Sequence, residues 1–245
     1  MPGTWTIRRT SRPGAALRLY CFPHAGGSAG EYAFWGDDLP SAEVSAIQLP
    51  GRGGRFAEAP LTTLAAVRDA VVGAVTFAPP FALFGHSLGA VIAFEVARVL
   101  DARGAPPACV VVSAARAPHV ASRLEPISHL DDDALIERLL HEPDTALRDV
   151  VADPELHELV MPGLRADLQI AERYQFTDGP PLRCPILALG GTADAVTRDE
   201  LAAWQRHTSA AFSLHMFDGD HYYTRTARGA VLALLDSIAQ ELRHE

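Results

Sequence analysis

Short apolar runs rich in β-branched residues alternate along this chain with longer segments of helical periodicity. Gly and Pro bound the short runs, as is typical of strands in a sheet. The alternation predicts a mostly parallel sheet flanked by helices, which is the α/β class. The predicted strands cover residues 17–22, 44–49, 81–84, 108–113, 185–189 and 212–217. The predicted helices cover residues 30–39, 61–75, 88–100, 198–207 and 224–242.

The alternation is interrupted between residues 116 and 180, where helical patterns predominate over 131–141, 145–151 and 155–175. Residues 125–178 contain 14 acidic and 4 basic residues, so they carry essentially all of the net charge of −9 of the chain. We predict a core formed by residues 1–115 and 181–245, with residues 116–180 as a helical lid over the sheet. The alternative is that these helices pack beside the core and do not control access.

Composition and charge narrow the functional classes. All 21 basic residues are arginine, which excludes lysine Schiff bases and the phosphate-loop lysine. The net negative charge is unlike that of a nucleic-acid binder, which needs a basic footprint. The N-terminus lacks an apolar leader, and Pro79 and Pro80 interrupt the most hydrophobic stretch, so we expect neither secretion nor a membrane span.

The three cysteines form no C-x-x-C pair, which suits a reducing compartment. We therefore expect a cytoplasmic protein, with a monomer as the default state. No tight cluster of His, Cys or Asp indicates a metal site, and we expect neither a metal nor a cofactor.

A candidate nucleophile, Ser87, lies at the centre of the G-H-S-L-G string between a predicted strand and a predicted helix. A strand that turns sharply into a helix forces its central residue into a strained conformation. Side chains at the flanking positions would clash, which explains Gly85 and Gly89. Ser87 is thus predicted at the carboxyl edge of the sheet, near a helix N-terminus that favours developing negative charge.

His221 and Asp194 are the candidate base and acid. Each follows a predicted strand, so both are expected at the edge where Ser87 lies. The carboxylate of Asp194 would orient the imidazole and stabilise its cation. The competing acids are less suitable, because one lies in a predicted helix and two are too close in sequence to the histidine: Asp199, Asp218 and Asp220.

Two backbone N–H groups are predicted to stabilise the oxyanion. One belongs to Leu88, the residue after the nucleophile, and the other to Ala25 in the Gly-rich loop after the first strand. His24, in the same loop, is interpreted as a residue that orders the oxyanion hole. His86 is interpreted as packing inside the turn rather than acting as a base.

The residues described so far resemble a known family, the stand-alone type II thioesterases that accompany polyketide and nonribosomal peptide synthases. The resemblance runs from about residue 17 to 242. It includes Trp35 and Tyr174 and six strings in a shared order: F-P-H-A-G-G-S from Phe22, L-P-G-R-G-G-R from Leu49, S-A-A-R-A-P from Ser113, L-R-A-D from Leu164, P-L-R-C-P from Pro181 and G-D-H-Y-Y ending at Tyr223.

The resemblance implies an α/β-hydrolase fold with a mobile lid, and hydrolysis of acyl thioesters on the phosphopantetheine arm of a carrier protein. It implies Ser87, His221 and Asp194 as the catalytic triad. Leu88 stands where the family often has Met, and Tyr222 stands where Phe is usual. Phe22, His24 and Tyr222 are the candidate substrate-binding residues.

Carrier proteins of this kind are usually acidic, so the acidic insertion would disfavour docking. We predict docking on an arginine-bearing surface away from it, with Arg52, Arg55 and Arg116 as contributors. The alternative is that these arginines are structural and pair with carboxylates of the insertion.

The triad alone leaves other functions open. A small-molecule carboxylesterase or lipase would use the same residues, as would a chain-releasing thioesterase or acyltransferase of the same pathway. A non-catalytic scaffold is the alternative from another class, and the intact set of candidate residues argues against it.

Overall fold

The computed structural model describes residues 3–121, 125–140 and 153–241. The predicted helix over residues 145–151 lies outside this part of the chain, as do the predicted helix ends at His141 and Leu242. The strands are β1 (Thr6–Ile7), β2 (Leu17–Phe22), β3 (Ala42–Ile47), β4 (Phe81–His86), β5 (Cys109–Ser113), β6 (Ile186–Gly191) and β7 (Phe212–Phe217). The helices are α1 (Ala29–Ala33), α2 (Trp35–Asp38), α3 (Leu64–Ala74), α4 (Leu88–Ala102), α5 (Asp132–Leu140), α6 (Pro154–Arg173), α7 (Arg198–Ala202), α8 (Tyr223–Thr226) and α9 (Arg228–Glu241), with 3-10 turns at Gly53–Arg55 and Ala203–His207.

The described strands form one seven-stranded sheet in the order β1-β3-β2-β4-β5-β6-β7. All neighbours are parallel except β1 and β3, which are antiparallel. Phe22 is in register with Gly85, and Gly85 with Val112, so the carboxyl ends of β2, β4 and β5 meet at one edge. The α/β class with a mostly parallel sheet is confirmed. This edge carries the candidate site.

An apolar layer covers each face of the sheet, because successive side chains of a strand point to opposite faces. Tyr20 and Phe22 belong to the layer covered by α3 and α4, whereas Leu19 and Cys21 belong to the layer covered by α1, α2 and α9. Trp204 is fully buried in the first layer and donates a hydrogen bond to the Ala115 carbonyl at 2.7 Å. The sheet is therefore a rigid platform for the loops at its edge.

Three predicted helices are interrupted in the structure. Residues 30–39 form α1 and α2, with a break at Phe34, and residues 224–242 are divided into α8 and α9 at Ala227. The predicted helix 198–207 becomes a 3-10 turn after Ala202. The spacing of apolar residues does not reveal a helix break of one residue. Strand β1 was not predicted, because two residues are too few to show a periodic pattern.

Between β5 and β6 the described elements are the helices α5 and α6. They share a small apolar cluster of their own, formed by Leu135, Ile136, Met161 and Leu164. Asp153 caps the start of α6, since its carboxylate accepts the Glu155 N–H at 2.9 Å. None of the described helices has the length and apolarity that a bilayer crossing requires.

Candidate active site

Ser87 occupies a strained turn between β4 and α4. Its backbone has φ 54° and ψ −119°, a region that residues other than glycine rarely adopt, and such strain costs about 1–3 kcal/mol. A Cβ at Gly85 would overlap the carbonyl of Gly89, and a Cβ at Gly89 would overlap the carbonyl of Phe22. The steric reason for the two glycines therefore holds, and the second glycine also lets the loop after β2 approach α4.

His221 lies against Asp194 at the same edge of the sheet. The His221 Nδ1 atom is 3.1 Å and 3.0 Å from the two carboxylate oxygens of Asp194, whose side chain is 1% exposed. When Nδ1 donates to this carboxylate, Nε2 keeps the lone pair that a general base needs. Among the competing acids, Asp220 accepts the Tyr222 N–H at 2.8 Å instead.

The loops that carry this pair are locked together by backbone contacts. The Ala193 N–H donates to the Gly219 carbonyl at 2.9 Å, and the Thr192 N–H donates to the Phe217 carbonyl at 2.8 Å. A Cβ at Gly191 would overlap the carbonyl oxygens of the loop that precedes His221. The acid and the base are thus held by main-chain geometry as well as by their own hydrogen bonds.

Ser87 and His221 line one cavity of about 670 Å³. Its wall is largely apolar and comes from α4, from the segment after β5 and from the C-terminal end of α6. The described lining residues include Leu88, Val91, Ala115, Ala117, Val120, Phe176 and Val196, together with the polar residues Arg116, His119, Tyr174, Gln175 and Arg206. A cavity of this size and lining can hold a small acyl chain next to the serine oxygen.

His86 lies behind His221 in a buried polar chain. Its Nδ1 atom is 2.8 Å from the Ser113 hydroxyl, which in turn lies 2.5 Å from the Tyr223 hydroxyl. Burial, reinforced by the neighbouring His221, lowers the pKa of His86 well below its ordinary value, so the ring is neutral. His86 thus packs inside the turn, as interpreted. Ser113 and Tyr223 are not predicted as site residues, although both belong to strings that carry the resemblance.

The structure places the candidate substrate-binding residues beside the cavity rather than in its described lining. Phe22 is 1% exposed and packs in the main apolar layer, so its assignment to substrate contact is wrong. His24 is buried, and its ring lies edge-on to His86 and Tyr222 at centroid distances of 5.8 Å and 5.5 Å. His24 thus packs the loop after β2 against His86 and Tyr222.

Asp167 of α6 ties the insertion to that loop. Its buried carboxylate accepts the Gly26 N–H at 2.8 Å and two hydrogen bonds from the Arg52 guanidinium, each at 2.7 Å. Gly26 directly follows Ala25 and has φ +72°, and a Cβ there would press on Leu164 of α6. The sequence does not single out Asp167 for this role, although it ends the L-R-A-D string.

The three arginines predicted to dock a carrier differ in their surroundings. Arg52 is held by Asp167, so it pairs with a carboxylate of the insertion, as the alternative interpretation proposes. Arg55 is 4% exposed, pairs with Glu58 and stacks on Trp5, so a partner cannot reach it and its docking assignment is wrong. Arg116 is half-buried and lines the same cavity as Ser87 and His221.

No metal site accompanies these residues: in the ranges that the structure describes, no group of three or more His, Cys, Asp and Glu side chains could hold an ion. The arrangement instead places a hydroxyl on a strained turn, and an imidazole oriented by a carboxylate, around one apolar cavity. These are the parts that nucleophilic acyl transfer requires.

Comparison with known proteins agrees with this chemistry. The thioesterase domain family matches residues 17–240. Thioesterase PikA5 of Streptomyces venezuelae is 40% identical over 90% of this chain and 80% of that protein. The gramicidin S biosynthesis protein GrsT of Aneurinibacillus migulanus is 37% identical over 89% of this chain and 87% of that protein.

A solved structure shows the same likeness in three dimensions. The type II thioesterase BorB from the borrelidin biosynthetic cluster superposes with a TM-score of 0.89 and 36% identity, covering 96% of this chain and 97% of that one. The α/β-hydrolase fold is thereby confirmed. The chain belongs to the thioesterase family, among the type II thioesterases of polyketide and nonribosomal peptide pathways.

Proposed function

We propose that this chain hydrolyses acyl thioesters carried on the phosphopantetheine arm of acyl or peptidyl carrier proteins, with Ser87, His221 and Asp194 as its triad. The observation that carries the proposal is the Asp194–His221 hydrogen bond at the cavity that Ser87 also lines. The names of the relatives support the pathway, and the removal of aberrant or stalled acyl groups is the role that the type II class suggests. The proposal requires no cofactor beyond the arm of the substrate.

The first half of the reaction transfers the acyl group to the protein. The Ser87 oxygen attacks the thioester carbonyl while Nε2 of His221 takes its proton, and Asp194 stabilises the resulting imidazolium. The N–H groups of Leu88 and Ala25 would hold the oxyanion, each contributing about 2.7–4 kcal/mol. The C–S bond then breaks, and the departing thiolate receives the proton from His221.

The second half regenerates the serine. Water gives a proton to Nε2 of His221 and attacks the acyl ester, and the C–O bond to Ser87 breaks as the proton returns to the serine oxygen. The products are the free acid and the carrier thiol. Because a thiolate leaves readily, stabilisation of the oxyanion matters more here than protonation of the leaving group.

The test is the Ser87→Ala variant, assayed on an acyl carrier with mass spectrometry of the released acid. We expect kcat to fall by about 10⁴-fold or more, with the melting temperature retained. The matched control is Ser237→Ala, which removes an exposed hydroxyl on α9 and leaves the rate unchanged. Comparable hydrolysis by Ser87→Ala and the wild type would refute the assignment.

The same assay separates the alternatives. A higher kcat/KM on acyl-carrier than on p-nitrophenyl ester substrates distinguishes this function from that of a small-molecule carboxylesterase. Release of the free acid, rather than a cyclic product or a transferred acyl group, distinguishes it from a chain-releasing enzyme or an acyltransferase. Labelling of Ser87 by a fluorophosphonate excludes a scaffold that has no nucleophile.

A further inference from the structure

A second and larger cavity lies next to the catalytic one. This groove, of about 1060 Å³, runs between α3, α4, the C-terminal end of α6 and the segment before β6. Five arginines line it, against two carboxylates, Glu95 and Asp101. The arginines are Arg68, Arg98, Arg103, Arg173 and Arg183. The groove is therefore basic, although the chain as a whole carries a net charge of −9.

Internal ion pairs do not neutralise all of this charge. Arg98 pairs with Glu95 and Arg183 pairs with Asp101, each at 2.9 Å, and Arg68 pairs with Asp69 at 2.8 Å. Arg103 and Arg173 are exposed, and neither forms a salt bridge within the part of the chain that the structure describes. These two guanidiniums are available to an anionic partner, and an exposed positive patch raises the rate at which such a partner arrives.

The groove and the catalytic cavity share a wall. Tyr174 and Gln175 line both of them. The Tyr174 hydroxyl donates to the Glu95 carboxylate at 2.8 Å, and that carboxylate also binds Arg98, whose guanidinium donates to the Thr177 carbonyl at 3.0 Å. The side chains of Tyr174 and Gln175 therefore stand between a ligand seated in the groove and the cavity that Ser87 lines.

We propose that this groove, defined by the five arginines, is the docking surface for the carrier domain. The inference rests on the proposed function and adds the place at which the partner binds. A carrier presents acidic side chains and a phosphodiester at the base of its arm, while the thioester lies at the far end. The anionic attachment point of the arm must therefore lie beside the catalytic cavity but outside it. The groove adjoins that cavity and is separate from it, so it meets both requirements. Outside the end of α6 that lines the groove, the insertion is acidic and would repel the same partner.

The test reverses the two exposed charges in the double variant Arg103→Glu/Arg173→Glu. Its kcat/KM is measured on an acyl carrier and on the same acyl group attached to N-acetylcysteamine, a free thioester that has no carrier to dock. We expect the ratio of carrier to free-thioester kcat/KM to fall about tenfold or more, through KM, and its salt dependence to weaken. The neutral variant Arg103→Gln/Arg173→Gln should give an intermediate fall.

The matched control is Arg198→Glu, an equal charge reversal at an exposed position at the start of α7. Its ratio should equal that of the wild type. An unchanged ratio in the double variant, or an equal fall in Arg198→Glu, would overturn the docking surface while leaving the proposed function standing. A wild-type chain that hydrolyses neither substrate would overturn the proposed function instead, and the docking surface with it.

Discussion

Removal of the Asp167 carboxylate tests how much the contact between the helical insertion and the loop after β2 contributes to the stability of the protein. In Asp167→Ala, the guanidinium of Arg52 loses both of its carboxylate contacts, and the Gly26 N–H loses its acceptor. The two side chains are only 14% and 2% exposed, so the variant leaves a largely buried guanidinium without a carboxylate. Breaking a buried ion pair in this way costs about 3–5 kcal/mol. We expect the free energy of unfolding to fall by that amount.

The assay is urea unfolding at neutral pH, with an exposed ion pair as the matched control. Arg228 and Asp38 are joined at 2.6 Å but are 39% and 54% exposed. For such a pair, Asp38→Ala should cost less than about 1 kcal/mol. In a double-mutant cycle, Arg52→Ala combined with Asp167→Ala should lose less stability than the sum of the single variants, with a coupling of about 0.5–3 kcal/mol.

A kinetic measurement separates this effect from plain destabilisation. Gly26 follows the proposed oxyanion donor Ala25, so a loosened loop should lower kcat on a free acyl thioester more than it raises KM. The measurement is made well below the unfolding transition. Losses of stability that are equal in Asp167→Ala and Asp38→Ala, or strictly additive effects in the cycle, would refute the reasoning.

Two further predictions concern the turn at Ser87 and the histidines near the cavity. Gly89→Ala should lose about 1–3 kcal/mol of stability in urea unfolding, because its Cβ would overlap the Phe22 carbonyl. The control is Gly73→Ala on α3, whose Cβ meets no atom within 4 Å and which should gain about 0.5–1 kcal/mol. Burial, with the neighbouring His119 and Arg206, lowers the pKa of His207 to about 4, so the unfolded chain binds this proton more readily. The free energy of unfolding should therefore fall as the pH drops from about 6.5 to about 4, and His207→Gln should reduce that slope; an unchanged slope in the variant would contradict the assignment to His207.

Local patterns predicted the sheet and the turn because their causes are local. Strand alternation needs only apolar runs bounded by glycine and proline, and the turn at Ser87 needs only its two glycines between a strand and a helix. The expectation that Asp194 and His221 meet is also topological, because both follow strands of a parallel sheet and so lie at one edge. None of these inferences requires knowledge of which distant side chains touch.

Contacts between distant segments could be predicted only in kind, because the alternative interpretation pairs Arg52 with a carboxylate of the insertion without identifying which one. Asp167 and Arg52 are 115 residues apart, and nothing near either residue indicates the other. The assignment of Arg55 to carrier docking was wrong for a related reason. Its charge and its motif do not show whether an arginine is buried against Trp5 or exposed to a partner. Arg103 and Arg173 belong to no motif, and their importance emerges only from the groove that they line.

Helix α6 connects these long-range features, because its C-terminal half is anchored to the core. Asp167 holds the loop after β2, Ile170 is 1% exposed in the main apolar layer, and Tyr174 at the helix end binds Glu95 of α4. One helix thus holds the proposed oxyanion loop and the wall between the groove and the catalytic cavity. A displacement of this half would disturb both at once.

The N-terminal half of α6 is less constrained. It packs on α5 through Met161, while Leu156 and Leu159 are 39% and 46% exposed. Pro162 separates the two halves and has no N–H to donate to the carbonyl one turn earlier, so the helix is weakest there. Arg165 of the C-terminal half pairs with Asp132 at the start of α5, and Leu164 packs on the same helix, so α5 is tied to the anchored half as well. We therefore expect any movement at Pro162 to be confined to the start of α6. Such a movement would leave in place the cavity, whose described lining contains no residue of α5 or of the N-terminal half of α6, together with the arginine-lined groove.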